Sequence, residues 1–329
     1  MELNPKIYEL NVEQKAIRDG FGEGLVEAGE KNLNVVVLCA DLKESTRVEE
    51  FSKKFPERFF ELGVAEQNLA SVASGMAVMG KIPFIASYAI FSPGRNWEMI
   101  RTTICYNNTN VKIVGSHAGL NVGPDGGSHQ MLEDLALMRV LPKMTVVVPC
   151  DALEAHKATL ALAELVGPSY LRLAREKSPV VTTAETPFKI GQAEVLVEVE
   201  NPQAVIIACG LMVHRALLAA RKLEKEGIKV SVVNNHTIKP LDEKTILEVT
   251  KRAGTVVTCE EHQMAGGLGS AIAELLAKNN PVPIEFVAIA DRFGQSGESA
   301  ELMEHYGLGV DDIIEVVKKV IKRKETKSC

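Results

Sequence analysis

Glu66 stands where a carboxylate can do more than decorate a surface. It falls within the stretch Gly63-Val64-Ala65-Glu66-Gln67-Asn68, and behind it Leu69, Val72, Ala73 and Met76 follow at intervals of three and four. That spacing predicts a helix with one apolar face, beginning near the acid. An acid in a first helical turn complements the helix dipole, which is one sufficient reason for it. The sharper alternative is a buried carboxyl that shares a proton with a ring nitrogen of a ligand. Other groups able to hold a ligand are Asp41 and Ser45 in a polar loop, Tyr88 and Phe91 in an aromatic loop, and Arg175. His117, Asp125 and His129 share one glycine-rich run. Arg18 lies beside the apolar stripe of a helix, where a solvated charge is the plain reading.

The elements that must position these groups alternate along the chain. A helix is expected over 11–31, with Ala16, Ile17, Gly20, Phe21, Gly24, Leu25 and Ala28 on one stripe. Val35-Val36-Val37-Leu38-Cys39 is a continuous apolar run, as in a buried parallel strand. Further strands are expected near 82–87, 111–114, 145–148 and 170–174. Between them come helices behind Glu66, around Trp97, Ile100 and Ile104, over 132–139, and from an Asp151 N-cap through Leu165. Such alternation indicates a parallel sheet with helices on both faces, and ligands bind beyond the carboxyl ends of its strands. Asp41 and Ser45, Tyr88 and Phe91, the run from His117 to His129, and Arg175 all fall there.

Residues 177–189 have turn and linker chemistry, which divides the chain into units 1–184 and 185–329. The second unit is again α/β, with strands near 204–209, 229–233, 255–259 and 284–289. Its Gly266-Gly267-Leu268-Gly269-Ser270 suggests a phosphate cradle but lacks the dinucleotide spacing. A tight turn opening a close-packed helix is the better reading. The last helix ends in Lys318, Lys319, Lys322, Arg323 and Lys324, cations suited to the negative end of its dipole.

A length of 329 residues favours two domains, and 46% hydrophobic with 24% charged residues is globular. A net charge of −6 argues against a nucleic-acid footprint. Cys39, Cys105, Cys150, Cys209, Cys259 and Cys329 show no metal-ligand spacing, so buried free thiols in a reducing cytoplasm are expected. No signal peptide or membrane span is expected.

Three stretches in order resemble the C-terminal half of a transketolase, in the arrangement that divides the enzyme between two polypeptides. They are Gly63 to Asn68, the loop from His117 to Gln130, and Val148-Pro149-Cys150-Asp151. The resemblance covers essentially the whole chain. It implies thiamine diphosphate as cofactor, a pyrimidine-binding first unit, and a second unit of the transketolase C-terminal type. By position, Glu66 matches the acid that hydrogen-bonds N1′ of the aminopyrimidine and so helps the coenzyme shed its thiazolium proton. Phe91 matches the aromatic that stacks on that ring, with Tyr88 near it. Asp41 matches a further cofactor-site position, with helix capping as its alternative. His117 and His129 match histidines that bind hydroxyl or phosphate oxygens, and His129 joins Glu66 among the catalytic candidates. Asp125 matches the reader of the acceptor C2 hydroxyl. Arg18, Ser45 and Arg175 match groups that hold the sugar phosphate, for which a guanidinium fork is suited.

The family's metal motif has no acceptable copy here; Pro124-Asp125-Gly126 is the nearest. The resemblance therefore implies an N-terminal-half partner that binds Mg2+ or another divalent ion and the diphosphate. The active particle would be a heterotetramer with two copies of each chain, transferring a two-carbon ketol unit between sugar phosphates. Three alternatives stand beside this: a deoxyxylulose phosphate synthase relative, a 2-oxo acid dehydrogenase beta-type subunit, and a non-catalytic subunit. The first usually has arginine where His117 stands, and the second lacks the Gly-Pro-Asp-Gly-Gly-Ser-His run.

Overall fold

The computed structural model describes residues 2–327, so Cys329 lies outside them. Strand β1 (Gln14–Ala16) leads into α1 (Ile17–Lys31), followed by β2 (Val35–Cys39), α2 (Glu49–Lys54), β3 (Phe59–Glu61) and α3 (Glu66–Val78). Then come β4 (Ile82–Tyr88), a short helix α4 (Trp97–Met99) that continues as a wide π turn over Ile100–Tyr106, and β5 (Lys112–Ser116). The unit is completed by α5 (Asp134–Arg139), β6 (Thr145–Val147), α6 (Ala152–Glu164), β7 (Ser169–Arg172) and β8 (Lys177–Pro179). The second half holds β9 (Glu194–Val197), β10 (Ala204–Ala208), α7 (Met212–Lys225), β11 (Val230–Asn234), β12 (Thr237–Lys239) and α8 (Glu243–Ala253). It ends with β13 (Val256–Gln263), α9 (Leu268–Asn279), β14 (Ile284–Ile289), α10 (Ser299–His305) and α11 (Val310–Lys327).

Both large sheets are mainly parallel, as the alternation requires. One has seven strands in the order β12-β6-β7-β5-β4-β2-β3, the other five in the order β14-β13-β10-β11-β9. In each, one edge strand is antiparallel, β12 against β6 and β9 against β11. The central strands β2, β5, β10 and β11 are buried along their whole length, which is why β2 and β10 read as unbroken apolar runs. No helix among the described residues is long and apolar enough to cross a membrane.

Strand β12 is the unexpected feature: it lies beyond the linker yet completes the edge of the first sheet. The predicted linker is not loose either. Its start pairs with β1, Gln14 opposite Pro179, so α1 begins at Ile17 rather than near residue 11. Val180, Val181, Thr182 and Thr186 are buried. Asp151 is the cause. Its carboxylate accepts from the Glu154 amide at 2.7 Å, as the predicted N-cap, and from the amides of Val181 and Thr182 at 2.8 and 2.6 Å. A completely buried carboxylate is tolerated when several donors surround it. The Gly266 to Ser270 turn also opens a packed helix: the Glu260 carboxylate accepts from Leu268 and Gly269 amides at 2.7 and 2.8 Å, filling the place a phosphate would take.

Helices α1 and α6 cross on one face of the first sheet with backbones in near contact. A Cβ on Gly20 would sit 1.8 Å from the Ala152 carbonyl oxygen. Gly20→Ala is expected to lower stability by at least about 1–3 kcal/mol, the range for overpacking. Urea unfolding checks it; an unchanged midpoint would contradict the close crossing.

Candidate active site

Gly63 turns the chain with φ +63° between β3 and α3. Nearby, the Glu61 carboxylate accepts from the amides of Asp41 and Gly63 at 2.7 and 3.2 Å, tying together the loops that follow β2 and β3. Glu66 thereby starts α3 and is 2% exposed, with its Oε2 atom lacking any hydrogen-bond partner among the described residues. The nearest cation is Arg95, whose Nε lies 4.0 Å from Oε2 and whose side chain is 63% exposed. Asn96, buried, donates to the Glu66 carbonyl at 3.0 Å and lies 3.2 Å from Ser92 Oγ. Glu66 lies in the first turn of α3, where it complements the helix dipole, and it does so buried rather than solvated. Val64, two residues earlier, is exposed, so the acid lies just beneath an open edge.

The loop that passes Glu66 begins with Tyr88 and Phe91, whose rings lie 6.0 Å apart and nearly parallel. Tyr88 also stacks on His117 with centroids 3.8 Å apart, and His129 meets Phe91 edge-on at 5.6 Å. Behind this cluster Arg18 Nη1 donates to the Ser45 carbonyl at 2.7 Å and lies 3.3 Å from His117 Nε2. A guanidinium nitrogen is only a donor, so His117 Nε2 accepts. The ring proton then sits on Nδ1 and is donated to Ser116 Oγ at 2.9 Å. Burial, reinforced by Arg18 and Arg175, pushes the His117 pKa down to about 3. This histidine is therefore a neutral, oriented group. Burial also lowers the Arg18 pKa, with Arg47 adding to it.

Asp125 and Arg175 form a second pair, 3.9 Å apart and both partly exposed. Arg175 Nη1 donates to the Val122 carbonyl, and its backbone amide to Asn121 Oδ1 at 2.8 Å. The Asn121 amide in turn donates to the Glu261 carboxylate at 2.6 Å, so a strand of the second unit holds the glycine-rich loop. Gly119 makes room for this: its φ is +85°, and a Cβ there would lie 2.6 Å from Glu261 Oε1.

Tyr88, Phe91, His117, His129, Arg18 and Ser45 are thus brought together, with Asp125 and Arg175 joined to them through Asn121 and Val122. Asp41 is exposed in the loop after β2 with φ +60°, and it caps no helix, since α2 has Val48 at its cap. Both Asp41 and His117 (φ +54°) adopt the left-handed backbone, uncommon for residues other than glycine. Sequence reasoning missed Asn96, Ser116, Asn121 and Glu261. Ser116 and Asn121 adjoin or lie within the run already singled out, which was the available signal. Glu261 lies 140 residues from Asn121 and carried none.

Residues 13–180 match the family model of the transketolase pyrimidine-binding domain, and residues 191–313 that of the transketolase C-terminal domain. The chain belongs to the transketolase family. It is 43% identical to a Methanocaldococcus jannaschii protein assigned as a transketolase C-terminal section, over 94% of this chain and 97% of that one. It is 38% identical to a 6-deoxy-6-sulfo-D-fructose transketolase subunit of a Clostridium species (strain MSTE9), over 96% and 98%. A solved split-gene transketolase, described as an inactive beta4 tetramer, superposes with a TM-score of 0.88 at 46% identity, covering 94% of this chain and 99% of that one. Human transketolase is 34% identical, and the match takes in 49% of its length. Among transketolases, then, this chain has the extent of a C-terminal half.

His117 gives a pH prediction. Its folded pKa of about 3 lies below the ordinary 6.5. The unfolded chain therefore takes up this proton first, and stability falls as pH drops from 6.5 toward 3. The thermal midpoint of His117→Asn should fall less over pH 6.5 to 4 than that of the wild type. Parallel curves would show that His117 is not held neutral.

Proposed function

We propose that this chain is the pyrimidine-binding and C-terminal half of a two-chain transketolase. Its reaction is the transfer of a two-carbon ketol unit from a ketose phosphate, such as xylulose 5-phosphate, to an aldose phosphate, such as ribose 5-phosphate. The observation that carries the reading is Glu66: a buried carboxylate oxygen without a hydrogen-bond partner among the described residues, beside an aromatic loop. A buried acid of this kind needs a hydrogen-bonding ligand, and the pyrimidine of thiamine diphosphate fits it, with Phe91 and Tyr88 available to cover a ring. When bound, that coenzyme supplies the carbon nucleophile that holds the two-carbon unit.

The chain's own residues then have separable tasks. Glu66 Oε2 shares a proton with the pyrimidine. Phe91 and Tyr88 exclude water from the ring. His117 offers oriented, neutral hydrogen bonding, and His129 moves protons to and from substrate oxygens. Asp125 accepts from an acceptor hydroxyl. Arg175, Arg18 and Ser45 hold the terminal anion. Asp41, exposed in the loop after β2, would add a further contact to the bound cofactor.

The diphosphate and its divalent ion belong, on this reading, to an N-terminal-half partner in a heterotetramer with two copies of each chain. The exposed Val64 and Arg95 at the edge of the Glu66 site favour a second chain closing over it. An inactive assembly of C-terminal-type chains alone, as in the split-gene relative, is what the proposal expects of this half without its partner. A division at 184/185 belongs to the same proposal, as does a cytoplasmic setting, which the five free buried thiols among the described residues support.

Co-purification with the N-terminal-half partner tests the whole. The complex should transfer ketol units from xylulose 5-phosphate and leave pyruvate untouched, and a sulfonated ketose tests which terminal anion the arginines prefer. Glu66→Ala in that complex should lose at least about 10²-fold in kcat, the scale of a lost proton-transfer group. This chain alone, with cofactor and metal, should be inactive. Full activity in either case would overturn the reading.

A further inference from the structure

A second set of buried polar groups lies away from this site, at the seam between the two units. Glu154 stands in α6, Glu194 opens β9, Asn234 ends β11 and His236 precedes β12. They are 1%, 5%, 0% and 0% exposed. A carboxylate oxygen of each glutamate and a ring nitrogen of His236 all lie within 4.8 Å of one another. Buried carboxylates this close repel unless something positive lies between them.

The existing partners leave the set incomplete. Glu154 accepts from the Cys150 amide at 2.6 Å and from Asn234 Nδ2 at 2.7 Å. Glu194 has one long bond, 3.4 Å from the same Asn234 nitrogen, and its Oε1 has no partner among the described residues. His236 Nδ1 pairs with Thr237 Oγ1 at 2.9 Å, while among the described residues neither His236 Nε2 nor Asn234 Oδ1 has a hydrogen-bond partner. Asp151 adds a third buried carboxylate close by. Lys157, the cation whose charge reaches Glu194, already donates to the carbonyls of Thr183 and Thr186. Phe188 covers the His236 ring at 4.3 Å.

We propose that Glu154, Glu194 and His236 bind a zinc ion that fastens α6 of the first unit to the strands of the second. Two carboxylates and an imidazole form an oxygen and nitrogen donor set suited to zinc. Asn234 Nδ2 faces both carboxylates, so this residue fills the fourth position through Oδ1 once its amide is turned over. The Nδ1 bond to Thr237 fixes the His236 ring with Nε2 free to ligate. Tetrahedral zinc with bonds of about 2.0–2.1 Å sets its ligands about 3.3 Å apart, so the side chains close in on the ion by about 1.5 Å at most. The role is structural: no substrate reaches a site this deeply buried.

The test uses the untagged full chain expressed in zinc-supplemented and in zinc-depleted medium. Metal analysis by mass spectrometry should find about one zinc per supplemented chain, retained through dialysis. The zinc-loaded protein should melt about 5 °C or more above the depleted one. His236→Phe and Glu194→Gln should each carry at least about tenfold less zinc and lose that difference in melting temperature. Zinc below about a tenth of an equivalent in supplemented protein, with equal melting temperatures, would overturn the proposal in favour of a shared proton. Zinc content unchanged in both variants would overturn it in favour of another site. The wild-type comparison decides even if a variant fails to fold.

Discussion

The grip of Glu261 on the glycine-rich loop is the constraint on which the site depends. One carboxylate reaches from β13 of the second unit to the Asn121 amide. The carbonyl of Glu261 accepts from Arg172 at 2.8 Å, Arg172 pairs with Asp134 at 2.8 Å, and Asp134 accepts from Tyr170 at 2.8 Å. All of these are buried; Asp134 Oδ2 takes both bonds while its Oδ1 has no partner among the described residues, and in a dry interior the bonds that are made are strong. Asn121 then passes its position to Arg175 and Glu176 through their backbone amides. The substrate-facing loop of one unit is therefore shaped by the other.

Charge in the site is arranged with a purpose that follows from geometry. Burial, the largest influence, disfavours a charged His117, and Arg18, Arg175 and Arg47 add positive potential around it. A charged imidazolium there would repel its neighbours, so the ring stays neutral and gives direction, leaving the arginines to supply charge. An anionic group arriving at this cluster meets donors already aimed by their own bonds, which is the preorganisation that binding rewards.

The sheets, the order of helices and strands and the first set of site residues were legible because each has a short-range signature. Val35 to Cys39 is unbroken and apolar because it is covered on both faces. Asp151 caps α6 by a bond to a residue three positions on. Glu66 was marked by glycine before it and helical spacing behind it. What escaped was held by distant partners. β12 was not among the expected strands because its pairing is with β6, far back in the chain. The segment after residue 177 has the composition of a linker, yet Asp151 buries it. Glu261 reads as one of two adjacent acids just past an expected strand until the loop it holds is seen beside it. Arg18 shows no pattern along its helix; only the fold brings it to His117.

The crossing of β12 has a consequence for how such a protein can be taken apart. The border strand of the first sheet is encoded beyond the connecting segment, so a gene cut at that segment would leave β6 with a bare row of amides and carbonyls. Bare borders invite other chains to add themselves. Shuffling or trimming these two halves as modules therefore asks for a breakpoint after Lys239, or for a substitute strand carried along with the first half.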